Sequence, residues 1–318
     1  MSEIKGVQKK DVGTALFQED CGIANDAHKG KWHRQVSLLS YEKIEDFRKR
    51  GADVGFGAFG ENLVVDGFDF RSIPVGTRFR CGEVLLEMTQ IGKECHTHCQ
   101  IYHKMGECIM PHEGVFAKVI IGGRISVDDE MVAIPRDPNA PLRAAIVTLS
   151  DKGAKGERID ESGPAIKELL EQSGYEIVEM LLLPDTQNRI EIELIRLADG
   201  RQVNLIVTTG GTGFSERDRT PEATLAVATR NAPGIAEAIR AYSMQFTNRA
   251  MLSRGTSVIR NQTLIVNLPG SPKAVRESLS CVLPALEHGL KVLIGSASEC
   301  GGNNKNMADA HNDLGGEK

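Results

Sequence analysis

The chain has 318 residues, 41% hydrophobic, 25% charged and 5% aromatic, and its 38 Lys and Arg against 43 Asp and Glu give a formal net charge of -5. Twice the common domain length of ~150 residues predicts two domains, each with its own core. The acidic balance argues against nucleic acid as a partner, no run nears the ~18 apolar residues a membrane span needs, and seven cysteines behind an N-terminus without an apolar signal core predict a cytoplasmic protein rather than a disulfide framework.

Short apolar runs at 36–40, 63–70, 77–89 and 115–127, punctuated by glycine, predict a mostly-β domain over residues 1–134, read as a barrel. Gly122-Gly123 between two apolar stretches is a hairpin signal. Five of the seven cysteines lie in this half, three of them in Gly92-Lys93-Glu94-Cys95-His96-Thr97-His98-Cys99 and at Cys108 just after it. Three readings stay open here. The cysteines with His96, His98 and His103 form a possible zinc set. Cys95 beside Lys93 and the histidines has the surroundings of a reactive thiolate. Inert, partly buried cysteines are the third, a description that suits Cys21, Cys81 and Cys281.

Residues 135–141 hold three of the twelve prolines and no apolar period, as a linker does. Beyond them the pattern changes. Residues 144–149 read as a strand, and Ser162-Gly163-Pro164 opens a helix stopped at Gly174. A strand follows at 176–183, a helix at 189–197, a strand at 203–207, a helix start at Thr220-Pro221, a strand at 263–268 and a helix from Ser271-Pro272 to about 290. Alternation of this kind predicts an α/β three-layer domain with a mainly parallel sheet over residues 142–297. The Gly- and Asn-rich residues 298–318 read as a flexible tail.

Each strand of this second half runs into a polar or glycine-rich cluster: Ser150-Asp151, Asp185, Thr209-Gly210-Gly211-Thr212-Gly213, and Asn267-Leu268-Pro269-Gly270-Ser271-Pro272-Lys273. In a parallel sheet these carboxyl ends share one edge, where ligands of open α/β folds bind. Glycines leave backbone amides uncovered, and Ser271 at a helix N-terminus adds donors and a positive dipole end. An anion-binding pocket follows, with Lys273 as compensating charge. Any single cluster taken alone reads more readily as a tight turn than as a site, and Asp151, Thr220 and Ser271 are also readable as helix caps. Asp185 and Asp218 would repel a phosphate by roughly 1 to 4 kcal/mol per charge pair at ~4 Å. A divalent cation between them removes the conflict, and hard oxygen ligands next to phosphates suit Mg²⁺. No Walker A loop occurs.

Thr208-Thr-Gly-Gly-Thr-Gly213, Arg217-Asp218-x-Thr220-Pro221-Glu222-Ala223, Leu252-Ser253-Arg254 and Asn267-Leu-Pro-Gly-Ser-Pro-Lys273, in this order, resemble the MogA/MoaB molybdopterin adenylyltransferases over about residues 142–297. The resemblance implies a homo-trimeric enzyme that transfers AMP from Mg-ATP to molybdopterin and releases pyrophosphate. It places Asp185 and Asp218 in the catalytic and metal-binding roles, and the glycine loop, Ser253, Asn267 and Ser271 around the substrates. Arg34-Gln35-Val36-Ser37-Leu38-Leu39-Ser40, Gly57-Ala58-Phe59-Gly60-Glu61-Asn62-Leu63 and a cysteine following Thr89-Gln90 resemble the MOSC domain of molybdenum cofactor sulfurases. That resemblance implies a module handling the cofactor or its sulfur, with Cys95 as the matching thiol. The expectation is a bifunctional enzyme of molybdenum cofactor biosynthesis. A molybdopterin carrier or scaffold without turnover is the alternative, and a zinc-dependent regulatory module fused to a pterin binder is a third.

Overall fold

The computed structural model describes residues 1–94 and 100–295. Cys95, His96, His98, Cys99 and the tail at 298–318 lie outside the described residues.

The first half of the chain contributes β1 (Thr14–Gln18), β2 (Gly22–Ile23), β3 (Val36–Ser40), β4 (Leu63–Val65), β5 (Arg78–Cys81), β6 (Val84–Ile91), β7 (Val115–Ile121), β8 (Gly123–Ser126) and β9 (Met131–Ile134). They make a six-stranded sheet in the order β4-β3-β7-β6-β5-β9 and a three-stranded one, β2-β1-β8. Every pairing in the larger sheet is antiparallel except β3 with β4. Alternation along β3 explains its burial on both faces. Val36 and Leu38 enter a core with Phe17, Phe70 and Phe79, and Leu39 packs instead on Ile44 and Phe47 of α1 (Tyr41–Lys49). Two short helices, α2 (Gln100–Met105) and α3 (Met110–Glu113), precede β7.

This sheet differs from the expected barrel. Among the described residues it is open, with β4 and β9 as edges, and it curls at register shifts in β6 between Leu85 and Leu86 and between Met88 and Gln90, where bulges increase the local twist. Gly122-Gly123 is not a hairpin turn either. β7 pairs with β3 and β6, whereas β8 leaves for β1, so the glycines carry the chain from one sheet to the other.

The second half forms β10 (Arg143–Leu149), α4 (Asp151–Ala154), α5 (Ser162–Gln172), β11 (Glu176–Leu183), α6 (Gln187–Ile195), β12 (Leu205–Thr209), α7 (Thr220–Ala226), β13 (Arg230–Asn231), α8 (Pro233–Ser243), β14 (Ser257–Arg260), β15 (Thr263–Leu268) and α9 (Pro272–Leu293). The strand order is β11-β10-β12-β15-β14-β13, parallel from β11 to β15, with β14 and β13 antiparallel at one edge. All seven residues of β10 are buried because both faces are covered. Ala144 and Ile146 pack with Ile166 of α5, Ile239 of α8 and Leu279 of α9, while Ala145, Val147 and Leu149 pack with Ile190 and Leu194 of α6 and Ala223 of α7. These are the three layers. The chain leaves β10 toward α5 on one face and β12 toward α7 on the other, and this divergence opens a crevice between their carboxyl ends.

The two domains meet at the opposite, amino edge of the parallel strands. Gln202, just before β12, accepts a hydrogen bond from the Val75 amide at 2.9 Å. Arg136 pairs at 3.2 Å with Glu176, the first residue of β11, and Arg201, almost wholly buried, lies 3.4 Å from Glu179. His33 of the first domain is held in this contact. Its Nε2 lies 2.9 Å from Gln90 Oε1, and Gln90 spends its own amide on the Gly92 carbonyl, so His33 is the donor and carries its proton on Nε2. Burial and the neighbouring Arg201 charge push its pKa down to about 4. The unfolded chain therefore takes up this proton between about pH 6.5 and 4 while the folded chain does not, and stability falls as pH falls through that window, by on the order of 3 kcal/mol. Urea midpoints of the full chain and His33→Gln are expected to coincide near pH 7.5 and to separate toward pH 4.5, the variant losing less. Parallel curves would contradict the burial of a neutral His33.

Candidate functional site

The crevice at the carboxyl edge is laced together by side chains from separate loops. Thr209 donates to the Pro269 carbonyl at 2.7 Å, Ser162 to the Gly270 carbonyl at 2.9 Å, and Thr220 to the Gly210 carbonyl at 2.9 Å. These bonds hold the segments after β12 and β15 and the start of α5 around one cavity of about 330 Å³. Ser150 accepts from the Gly153 amide at 3.0 Å and caps α4, as Ser271 accepts from Ala274 at 3.3 Å and caps α9.

Three carboxylates meet at this rim. Asp151 and Asp185 each accept the other's backbone amide at 3.1 Å, and Asp151 is also ion-paired with Arg217, which holds its carboxyl below the usual range. Asp185 is shifted the other way: burial raises its pKa, and the negative charges of Asp151 and Asp218 add to the effect. Its Oδ1 is buried without a hydrogen-bond partner among the described residues. A buried, unpartnered carboxylate oxygen flanked by like charges is an unfavourable arrangement that a cation relieves. The donor set therefore fits a hard divalent ion, with no softer ligand among the described residues of the lining to favour another metal. Among the described residues no group of three or more His, Cys, Asp and Glu forms a metal cage. Mg²⁺ does not need one, since it takes one or two carboxylates and fills its remaining positions with water and phosphate oxygens.

The glycines are required by this closeness. Gly211 has φ +62°, and a Cβ there would lie 2.9 Å from Asp185 Oδ1; a Cβ on Gly213 would lie 2.9 Å from Asp218 Oδ2. Neither position has space for a side chain between the loop and the carboxylates. Asp218 is fixed locally, accepting from the Ser215 amide at 2.9 Å, and its loop is clamped by Arg254. The Arg254 Nε and Nη2 donate to the Gly213 and Asp218 carbonyls, both at 2.6 Å, and Nη1 pairs with Glu222.

Of the residues singled out from the sequence, Ser150, Asp185, Thr209, Gly210, Gly211, Asp218, Gly270 and Ser271 line the cavity together. Asp151, bonded to Asp185 through exchanged backbone amides, and Gly213, close to Asp218, adjoin these residues without lining the cavity. Asn267 is placed otherwise. It is 3% exposed, donates at 2.9 Å to both Thr208 and Thr224 and accepts from the Thr256 amide at 3.1 Å, so it ties three elements together beneath the rim. Thr212 and Pro269 adjoin lining residues without lining the cavity themselves, and Ser253 belongs to a segment that does not line it. Lys273 is a correction to the expectation of a pocket cation: its side chain is 85% exposed and lies 3.9 Å from Glu277 one helical turn on. The missed contribution is the segment from Arg158 to Ser162, which forms one wall. Asp160 accepts from Thr148 at 2.7 Å and from the Ser162 and Gly163 amides, each at 3.0 Å. Its signal was an Asp two residues before Ser162 at the predicted helix start.

In the first domain Cys21 and Cys81 are free thiols, as is Cys281 in the second, and burial raises the Cys81 pKa. Cys108 borders a second cavity between the domains. That cavity is at the amino edge of the parallel sheet, so the length of β10, about 20 Å at ~3.3 Å per residue, separates it from the carboxyl rim.

Comparison with known proteins bears on both halves. The family model described as a probable molybdopterin binding domain matches residues 145–288, and the MOSC domain model matches residues 25–132. A molybdopterin adenylyltransferase of Helicobacter pylori is 39% identical over 168 residues, covering 52% of this chain and 94% of that protein. One from Escherichia coli K12 is 45% identical over 147 residues, covering 45% of this chain and 75% of its own length. The crystal structure of the molybdopterin biosynthesis enzyme MoaB from Thermus thermophilus is 47% identical with a TM-score of 0.47, covering 48% of this chain and 97% of that one.

Proposed function

The chain belongs to the molybdopterin adenylyltransferase family and carries a MOSC domain in the same polypeptide, and from that premise we propose that its second domain transfers AMP from Mg-ATP to the terminal phosphate of molybdopterin. The observation that supports this most is the meeting of Asp185 and Asp218, one with a buried unpartnered oxygen, at a rim of uncovered glycine amides.

The reaction forms a bond between a phosphate oxygen of molybdopterin and the α-phosphorus of ATP. It breaks the α–β phosphoanhydride bond, whose electron pair leaves with pyrophosphate. A phosphate monoester with a second pKa of about 6 is already largely dianionic at pH 7, so the site needs no strong general base. Mg²⁺ held by Asp185 and Asp218 would supply charge neutralisation for the reacting phosphates. The chain's own groups do the rest. The Gly210 to Gly213 amides and the N-terminus of α9 at Ser271 present donors to phosphate oxygens. Arg254 keeps Asp218 and the glycine loop in one geometry, and the bonds from Thr209 and Ser162 keep the opposing loops in register.

The same reading includes a cytoplasmic homo-trimer with small-molecule partners only. Exposed Met244, Phe246, Met251 and Leu252, 40 to 61% accessible around the end of α8, support self-association, because neighbouring exposed apolar side chains mark interaction surfaces. No helix among the described residues is long and apolar enough to cross a membrane. The MOSC domain binds the cofactor or handles its sulfur, with Cys95 as its thiol. Because the two cavities lie at opposite edges of the sheet, the activated pterin has to leave the carboxyl rim before it reaches the MOSC domain of the same chain.

Incubation with molybdopterin, ATP and Mg²⁺ is expected to release pyrophosphate one for one with adenylyl-molybdopterin. Tight molybdopterin binding without pyrophosphate would favour the carrier reading instead, and ADP with phosphate would reject adenylyl transfer.

A further inference from the structure

The cavity at the carboxyl rim is lined by four carboxylates, Asp160, Glu161, Asp185 and Asp218, and among the described residues by one cation, Arg158. Arg158 is exposed and has no ion pair among the described residues. With Lys273 turned to solvent, it is the side chain that can compensate a bound anion. Ile159 beside it also lines the cavity, yet it is 84% exposed, more than any other large hydrophobic side chain among the described residues. An aliphatic side chain left in water at the mouth of a pocket gains when a flat apolar surface covers it. The two residues form an arch held at both feet. On one side the Glu157 amide donates to the Lys152 carbonyl at 2.9 Å. On the other the Asp160 carboxylate accepts from Thr148 and from the Ser162 and Gly163 amides, and a Cβ on Gly163 would collide with it. The backbone is thus placed before a ligand arrives while both side chains stay uncommitted, and a preformed loop loses little freedom on binding.

Charge balance selects the ligand. Asp185 and Asp218 together cancel the charge of one divalent ion, so phosphates gathered at the rim need a further cation, and a triphosphate needs it more than a monoester. A guanidinium meets phosphate oxygens with paired, charge-assisted hydrogen bonds. We propose that Arg158 and Ile159 form a nucleotide-recognising arch, with Arg158 on the β and γ phosphates that depart as pyrophosphate and Ile159 over the base. The proposal rests on the reading that this cavity takes Mg-ATP, and adds which residues of the wall missed from the sequence select it.

Calorimetric titration of the full chain in Mg²⁺ with α,β-methylene-ATP, AMP and inorganic tripolyphosphate tests this. Arg158→Gln is expected to weaken α,β-methylene-ATP and tripolyphosphate at least about tenfold and AMP by less than about threefold, the effect of losing charge-assisted bonds to the outer phosphates. Ile159→Ser is expected to weaken α,β-methylene-ATP and AMP about fivefold each and to leave tripolyphosphate unchanged, since only the base loses its cover. Both side chains are exposed in the free chain, so the thermal midpoints of the variants are expected to match the wild type, as is their affinity for molybdopterin. Wild-type nucleotide affinity in both variants would overturn the arch. So would a loss confined to molybdopterin, which would assign these side chains to the pterin. The expected shifts without pyrophosphate release by the wild type would fault only the adenylyltransferase reading.

Discussion

Asp218→Asn and Asp185→Asn each leave molybdopterin binding within a few-fold of the wild type and lower adenylylation by about 10³-fold, the scale of losing a group that stabilises developing charge. The substitutions are isosteric, so the packing of the rim survives. The Asp185 oxygen that accepts the Asp151 amide and the Asp218 oxygen that accepts the Ser215 amide are both replaceable by an amide oxygen. What disappears is negative charge. Burial and two neighbouring carboxylates already oppose ionisation of Asp185, an arrangement that the proposed function assigns to an ion arriving with the nucleotide. Single-turnover measurement of pyrophosphate, with binding followed separately, distinguishes the charge effect from lost affinity. Turnover within a few-fold of the wild type in either variant would reject the assigned role.

Arg254→Met is expected to reduce kcat by about 10²-fold with a much smaller change in KM, because misplacing a reacting group by about 1 Å has that effect. Arg254 is a positioning residue. Its guanidinium bridges the Gly213 and Asp218 carbonyls, and its own amide bonds the Thr212 carbonyl at 3.0 Å. Both sides of the loop that aims Asp218 therefore depend on one side chain. Arg254→Lys would restore charge without the fork that spans two carbonyls, and is expected to recover little activity. A merely structural arginine would lower thermal stability and leave the kcat of the remaining folded enzyme unchanged. Equal losses in kcat/KM through KM alone would contradict the positioning role.

The α/β half was legible because its signals are local and agree with one another. The strands at Glu176–Leu183 and Thr263–Leu268 and the helix starts at Ser162, Thr220 and Ser271 coincide with the expected positions. Their strand ends also predicted the shared rim, since parallel pairing sends every carboxyl end the same way. The barrel expectation failed for the opposite reason. Whether β4 and β9 meet depends on long-range curvature, and bulges such as those in β6 leave no residue signature. Gly122-Gly123 carried a genuine turn signal, but a dipeptide cannot reveal which strand its second arm will join. Lys273 was read into the pocket from proximity in sequence, although a residue in the first turn of α9 can face away from the site. For Asn267 the resemblance implies a place around the substrates, at the end of a strand. Its burial shows the other use of a polar strand end, satisfying hydroxyls from β12 and α7.

Manganese in place of magnesium tests the central claim most directly, since its bound and free forms are distinguished by electron paramagnetic resonance. In the presence of ATP the wild-type chain is expected to bind Mn²⁺ at the carboxyl rim, and Asp185→Asn and Asp218→Asn to weaken that binding by at least about tenfold each. Mn²⁺ affinity unchanged in both variants would contradict the account.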